Sequence, residues 1–105
     1  MRLLAAEPVT VVLARLYGRP VGTAYTVRSD DGALCPAAYL AGVGVQSDDR
    51  RRGVAGAMSS WLVTSAFNLG AELVHCHPDT ALAARVYERL GFVQAAALDV
   101  YVDLA

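Results

Sequence analysis

The sequence has no lysine and no isoleucine, two cysteines, one tryptophan and no long hydrophobic run. Each shortage excludes something. The longest unbroken stretch of apolar or glycine residues is Ala37 to Val45, nine residues, whereas a membrane-spanning helix needs about 20. Arg2 followed by Leu3-Leu4-Ala5-Ala6 resembles the opening of a secretory signal, but Glu7 and Pro8 break it before it reaches useful length. Cys35 and Cys76 form no CxxC and no metal-ligand pair. The expectation is a soluble cytoplasmic protein with two free thiols, Cys76 in the core and Cys35 in a loop. Nine basic residues, all arginine, face ten acidic ones, for a net charge of -1. That balance gives no net attraction to nucleic acid or to an anionic membrane.

What is present is apolar and small. Hydrophobic residues make up 55% of the chain and charged residues 18%, which excludes a disordered polymer. Alanine occurs 19 times and valine 14 times, a bias that reads as genome composition. A chain of 105 residues holds one core, so residues 1–105 are taken as one domain.

The order of elements follows from periodicity. Thr10 to Tyr17 reads as a strand, Gly18-Arg19-Pro20 as a tight connection and Val21 to Val27 as the returning strand. Ser29-Asp30-Asp31-Gly32 begins a loop that ends near Pro36. Ala37 to Val45 is apolar on both faces, which predicts a central strand. From Gly53 the period becomes helical, through Val54, Met58, Trp61, Leu62, Ser65 and Leu69, with Gly70 as the stop. Leu73 to His77 is a short strand closed by Pro78. Asp79 or Thr80 can cap a second helix whose apolar positions include Leu82, Val86 and Leu90 and which ends at Gly91. Val93 to Val102 supplies one or two last strands. The pattern β-β-β-α-β-α-β predicts an α/β (α+β) mixed sheet: an antiparallel meander followed by a parallel crossover.

The segment of greatest chemical interest runs from Val45 to Met58. It leaves a buried strand, passes Asp48, Asp49, Arg50, Arg51 and Arg52, and enters a helix at Gly53-Val54-Ala55-Gly56. Free N–H groups at a helix start favour anions, small residues let a phosphate approach the backbone, and arginines add charge-assisted hydrogen bonds. The plainer reading is a solvated arginine cluster partly neutralised by Asp48 and Asp49. The segment is neither a Walker motif nor GxGxxG.

A second segment, Thr80 to Phe92, places Tyr87 late in a short helix ahead of Gly91-Phe92. Together the two segments resemble the GNAT N-acetyltransferase superfamily. Its first signature, [RQ]-x-x-G-x-[GA], is met by Arg50, Gly53 and Ala55. Its second, N-x-x-A-x-x-L-Y-x-x-x-G-F, is met by Ala83, Tyr87, Gly91 and Phe92, with Val86 for Leu and Thr80 for Asn. The match runs from Thr10 to about Leu104.

The resemblance implies acetyl-CoA as co-substrate and a primary amine of a small molecule or peptide as acceptor. The strand end Val43-Gly44-Val45 would pair with the pantetheine arm. Arg50, Arg51, Arg52, Gly53, Val54, Ala55 and Gly56 would hold the pyrophosphate. Tyr87 would lie near the thioester sulfur as general acid, against a plainer role as a packed aromatic at a helix edge. Thr80 would contact the cofactor or simply cap the helix. Arg51 replaces a common Gly. For the base, alternation puts His75 and His77 on one strand face, and either could take a proton near neutral pH. Their plainer role is an ordinary strand-edge pair, and a metal site is not expected.

The family's domain usually begins with a further strand and two helices, for which Met1 to Val9 is too short. Acceptor specificity is therefore not legible, and a sheet face is expected to lie bare. Either a homodimer covers it or these residues belong to a longer protein. The competing functions are a non-catalytic acyl-CoA-binding module and a structural partner domain.

Overall fold

The computed structural model describes residues 9–29, 36–95 and 100–104. The expectations for Met1 to Pro8 and for Cys35 lie outside them. The elements are β1 (Val9–Leu16), β2 (Arg19–Ser29), β3 (Ala37–Val45), a 3-10 turn (Ser47–Asp49), α1 (Val54–Asn68), β4 (Leu73–Cys76), α2 (Ala81–Arg89), β5 (Val93–Ala95) and β6 (Val100–Leu104). The six strands form one mixed sheet in the order β1-β2-β3-β4-β6-β5. Only β3 and β4 pair in parallel; the other neighbours are antiparallel. The predicted fold class and element order are both found, with two strands at the end.

The first hairpin turns one step earlier than the sequence reading placed it. Tyr17 and Gly18 both have positive φ, 53° and 79°, and Leu16 pairs with Arg19. This is a two-residue turn of the primed kind, whose twist matches that of the flanking strands. Arg19 and Pro20 are thus already in β2. The register shifts at Ala14/Arg15, which makes Val21 a bulge residue, and bulges tolerate a neighbouring proline.

Both helices lie on one face of the sheet. Their buried residues, Met58, Leu62, Val63 and Ala66 from α1 and Tyr87 from α2, share one core with Ala24, Ala38, Leu40, Val74, Cys76 and Tyr101. Leu40 and Leu62 are fully buried; cutting Leu62 to Ala would cost about 3 kcal/mol. The helical stripe is narrower than the periodicity suggested. Trp61, Leu69 and Leu82 are 54%, 48% and 59% exposed, because each points away from the single sheet face that its helix covers.

The opposite sheet face carries no helix among the described residues. The Cα envelope measures 42 × 38 × 17 Å, a two-layer slab. Across the bare face the registers align Val9, Val27, Tyr39, His75, Val102 and Val93 in one row spanning all six strands. Val9, Val11 and Leu13 on β1 are exposed. The sequence reading expected an uncovered sheet face, and among the described residues no helix lies on this one.

Candidate functional site

The sheet opens where β3 and β4 part. Their pairing covers Ala37 to Leu40 against Leu73 to Cys76 and stops there. β3 runs on to Val45 while β4 ends at Cys76. Beyond Leu40, β3 is therefore paired on its β2 side alone. An unpaired strand edge is a template for an extended, amide-bearing ligand. Val43, Gly44 and Val45 lie on this edge, and a Cβ on Gly44 would meet nothing within 4 Å. The Val45 carbonyl already accepts a 3.2 Å bond from Arg50 Nε.

Beside Ala41 the strand is bent. The register with β2 shifts between Thr23 and Tyr25, and Gly42 adopts φ +64°. A Cβ there would come within 2.3 Å of the Tyr25 ring. Only glycine fits both the conformation and the space.

The turn after β3 leads into α1. Gln46 N–H donates to the Val21 carbonyl at 2.7 Å, and Asp49 N–H to the Gln46 carbonyl at 2.9 Å. Arg50 has φ -70°, Arg51 +67° and Gly53 +77°, while Arg52 and Val54 are negative. Such alternation of φ folds successive N–H groups into an anion-binding concavity. Gly53 is the N-cap and offers no side-chain cap. The first helical bond closes at Ala57 N–H onto the Gly53 carbonyl, leaving the N–H groups of Val54, Ala55 and Gly56 without a partner in the helix. Arg50, Arg51 and Arg52 are exposed around it. A Cβ on Gly53 would find open space, so the residues present fit a pyrophosphate.

At the other side of the opening stands α2. The Thr80 hydroxyl accepts from Ala83 N–H at 3.0 Å, so Thr80 caps the helix. The helix ends in a Schellman closure: Gly91 N–H donates to the Glu88 carbonyl and Phe92 N–H to the Tyr87 carbonyl. Gly91 takes φ +102°, and the rings of Tyr87 and Phe92 meet at 5.6 Å. The spacing Tyr-x-x-x-Gly-Phe is thereby explained physically: it fixes one aromatic ring at the helix end with another. Tyr87 is buried. Burial, reinforced by Cys76, Asp79 and Tyr39, pushes its phenol up to about 12, so the proton is held at neutral pH. Cys76 is a buried free thiol, also pushed up to about 12 by burial.

His75 and His77 are brought together on the bare face by Tyr39, whose ring centroid lies 5.1 Å from His75 and 6.0 Å from His77. His77 follows the last residue of β4 and is exposed; His75 is half-buried. Burial, then the neighbouring His77 charge, lowers the His75 pKa below 6.5. Tyr39 was not singled out in the sequence, because its contact with the histidines depends on the parallel pairing of β3 with β4. Arg19 was also missed. Its guanidinium lies 30 residues from its partner Asp49 in sequence, so no local pattern announces it. Among the described residues no group of three His, Cys, Asp or Glu side chains could hold a metal ion. No helix among them is long and apolar enough to cross a membrane.

The model of the acetyltransferase (GNAT) family matches residues 2–92. The chain belongs to the GNAT acetyltransferase family. No curated protein matches it significantly. Among solved structures, a protein of Agrobacterium tumefaciens described as an acetyltransferase is 25% identical, with TM-score 0.75, covering 91% of this chain and 69% of that one. An aminoglycoside acetyltransferase from an uncultured soil metagenomic sample is 27% identical, with TM-score 0.75, covering 92% and 66%. A protein of Clostridium acetobutylicum described as an acetyltransferase, solved with acetyl-CoA, shares the GNAT fold at 18% identity and TM-score 0.74, covering 87% and 62%. The chain thus spans about two thirds, or slightly less, of the length of these relatives.

Proposed function

We propose that this GNAT domain transfers an acetyl group from acetyl-CoA to a primary amine of a small molecule or peptide. One observation carries the reading: the unpaired edge Ala41–Val45 runs directly into an arginine-rich turn of alternating φ at the start of α1. The edge suits the amides of pantetheine and the turn suits a pyrophosphate. The Clostridium neighbour solved with acetyl-CoA lends support through its fold.

In this reading Val43 and Gly44 hold the pantetheine arm. Arg51, Arg52 and the N–H groups from Gly53 to Gly56 hold the pyrophosphate. Arg50 braces the strand end, and Thr80 organises α2. The neutral amine attacks the thioester carbon, its proton passes to His75 or His77, and the C–S bond breaks. Tyr87 supplies a proton to the departing thiolate, giving an amide and free CoA. A phenol with a pKa of about 12 is protonated at every physiological pH, as an acid must be. The setting of this reading is the cytoplasm, where thiols stay reduced.

A second copy of the chain would cover the bare sheet face and wall the acceptor side. The row from Val9 to Val93 crosses all six described strands, and a standard interface takes roughly 800 Å² per partner. Sedimentation velocity at micromolar concentration tests this directly, and a clean monomer would reject it.

The deciding experiment is a calorimetric titration with acetyl-CoA, repeated on Arg52→Ala. Saturable binding that weakens in the variant supports the site. Free thiol release is then followed with an amine panel that begins with aminoglycosides, since one neighbour at 27% identity acts on that class by its description. Binding without turnover on any amine would favour a non-catalytic acyl-CoA module. A folded protein that does not bind would leave only a structural partner domain.

A further inference from the structure

The basic turn does not hold its shape by itself. Arg51 is a non-glycine residue with φ +67°, a conformation that persists only where surrounding structure fixes it. The fixing contacts come from the start of β2. The Val21 carbonyl accepts from Gln46 N–H. Two residues earlier, Arg19 grips Asp49 with both nitrogens, Nη1 to Oδ2 at 2.9 Å and Nη2 to Oδ1 at 2.8 Å. The Asp49 side chain is 1% exposed and that of Arg19 57%. The carboxylate is therefore sealed into the base of the turn while the guanidinium reaches in from outside. The hydrogen bond from Arg19 holds the Asp49 carboxyl below the usual carboxylate range, against the opposing effect of burial. The fork geometry is specific to arginine, because lysine cannot make two parallel bonds.

The position of Arg19 is itself set by the Tyr17-Gly18 turn, which makes it the first residue of β2. A surface hairpin is thus clamped to the loop that would receive the pyrophosphate. We infer that Arg19 is a positioning residue for the coenzyme: its fork on Asp49 holds the Ser47–Gly53 turn in the conformation that gathers the backbone N–H groups. The inference rests on the pyrophosphate reading of that turn. It adds a residue outside both signature segments, one that acts through Asp49.

The test compares ligands with and without the pyrophosphate. Acetyl-CoA and S-acetylpantetheine are titrated by NMR into wild type, Arg19→Gln, Arg19→Lys and Asp49→Asn, with the spectra reporting the fold. Arg19→Gln is expected to weaken acetyl-CoA about tenfold. S-Acetylpantetheine affinity should stay unchanged, and Arg19→Lys should fall between wild type and Arg19→Gln. Arg19→Gln leaves the buried Asp49 carboxylate without its cation, whereas Arg19→Lys keeps a positive charge opposite it and loses only the fork, so the lysine variant tests the inference even where Arg19→Gln or Asp49→Asn does not fold. Equal loss for both ligands would mean a general structural effect and overturn the inference. Wild-type acetyl-CoA affinity in folded Arg19→Gln would overturn it too, while leaving the site reading intact. A folded wild type that fails to bind acetyl-CoA would remove the site reading and this inference together.

Discussion

Phe92 closes the helix that carries Tyr87, and it does so on Tyr87 itself. The Phe92 N–H donates to the Tyr87 carbonyl at 3.0 Å, and the two rings meet at 5.6 Å with a 57° tilt. Backbone and side chain thus fix the same residue. Phe92 is 3% exposed, so Phe92→Ala should cost about 3–4 kcal/mol of stability in urea unfolding. Phe92→Leu should retain most of the fold but loosen the Tyr87 ring. On the proposed mechanism it lowers kcat more than it changes acetyl-CoA affinity. A Leu variant with unchanged kcat would show that the ring contact serves stability alone.

Tyr87→Phe removes the acid while keeping the ring. The expected loss is about 10²- to 10³-fold in kcat with acetyl-CoA affinity retained. The pH dependence has a definite sign. Burial raises the phenol pKa to about 12, so the proton stays on throughout the neutral and mildly alkaline range. Wild-type activity should show no alkaline decline assignable to Tyr87 below pH ~11. An alkaline limb with a midpoint between about 8 and 10 that disappears in Tyr87→Phe would contradict this assignment.

His75 gives the opposite limb. Its pKa is lowered below 6.5 by burial and by His77, so the native state favours the neutral ring. The histidine unfolds to its ordinary value, so below that pH the unfolded chain binds the extra proton first. Stability from this group is full above 6.5 and is lost as pH falls through the native pKa. The acid limb of kcat/KM should therefore have its midpoint below 6.5. His75→Gln should remove that limb, whereas His77→Gln should keep it but shift it upward, because the His77 charge is one cause of the lowering. A profile unchanged in His75→Gln would exclude it as the base.

The fold was legible because each element has its own punctuation. Gly70 and Gly91 stop the helices at positive φ, Thr80 caps the second, and the uniformly apolar Ala37–Val45 segment is the third strand, with the bounds read from sequence. The basic turn and Tyr87 were legible because local spacing encodes them. The Arg19–Asp49 fork and the stacking of Tyr39 with His75 were not, since both join segments more than 29 residues apart in sequence. The exposure of Trp61 and Leu82 escaped for a related reason. Periodicity names a helix face, but only the sheet beneath determines how wide a stripe is covered. The tight hairpin was placed late because Gly-Arg-Pro looks like a turn, whereas Tyr17 in a left-handed conformation gives no signal in sequence.

Gly42 tests whether the bend in β3 makes the opening. Its φ is +64°, and a Cβ would come within 2.3 Å of Tyr25 Cε2 and 2.7 Å of Cδ2. Gly42→Ala therefore meets two costs, a left-handed backbone of about 1–2 kcal/mol and a collision that the ring must move to relieve. Tyr25 is 38% exposed, so the ring can swing outward, and Tyr25→Ala should itself be mild. The double variant should be more stable than the sum of the singles implies, because removing the ring removes the collision but not the backbone strain. Urea unfolding of the four proteins gives this coupling. If the bend also sets the free edge, Gly42→Ala should weaken acetyl-CoA binding even at temperatures where the variant is fully folded. Restored stability in the double variant without restored binding would separate the packing role of Gly42 from its role in shaping the edge. Strict additivity would mean that the ring is not what limits this position.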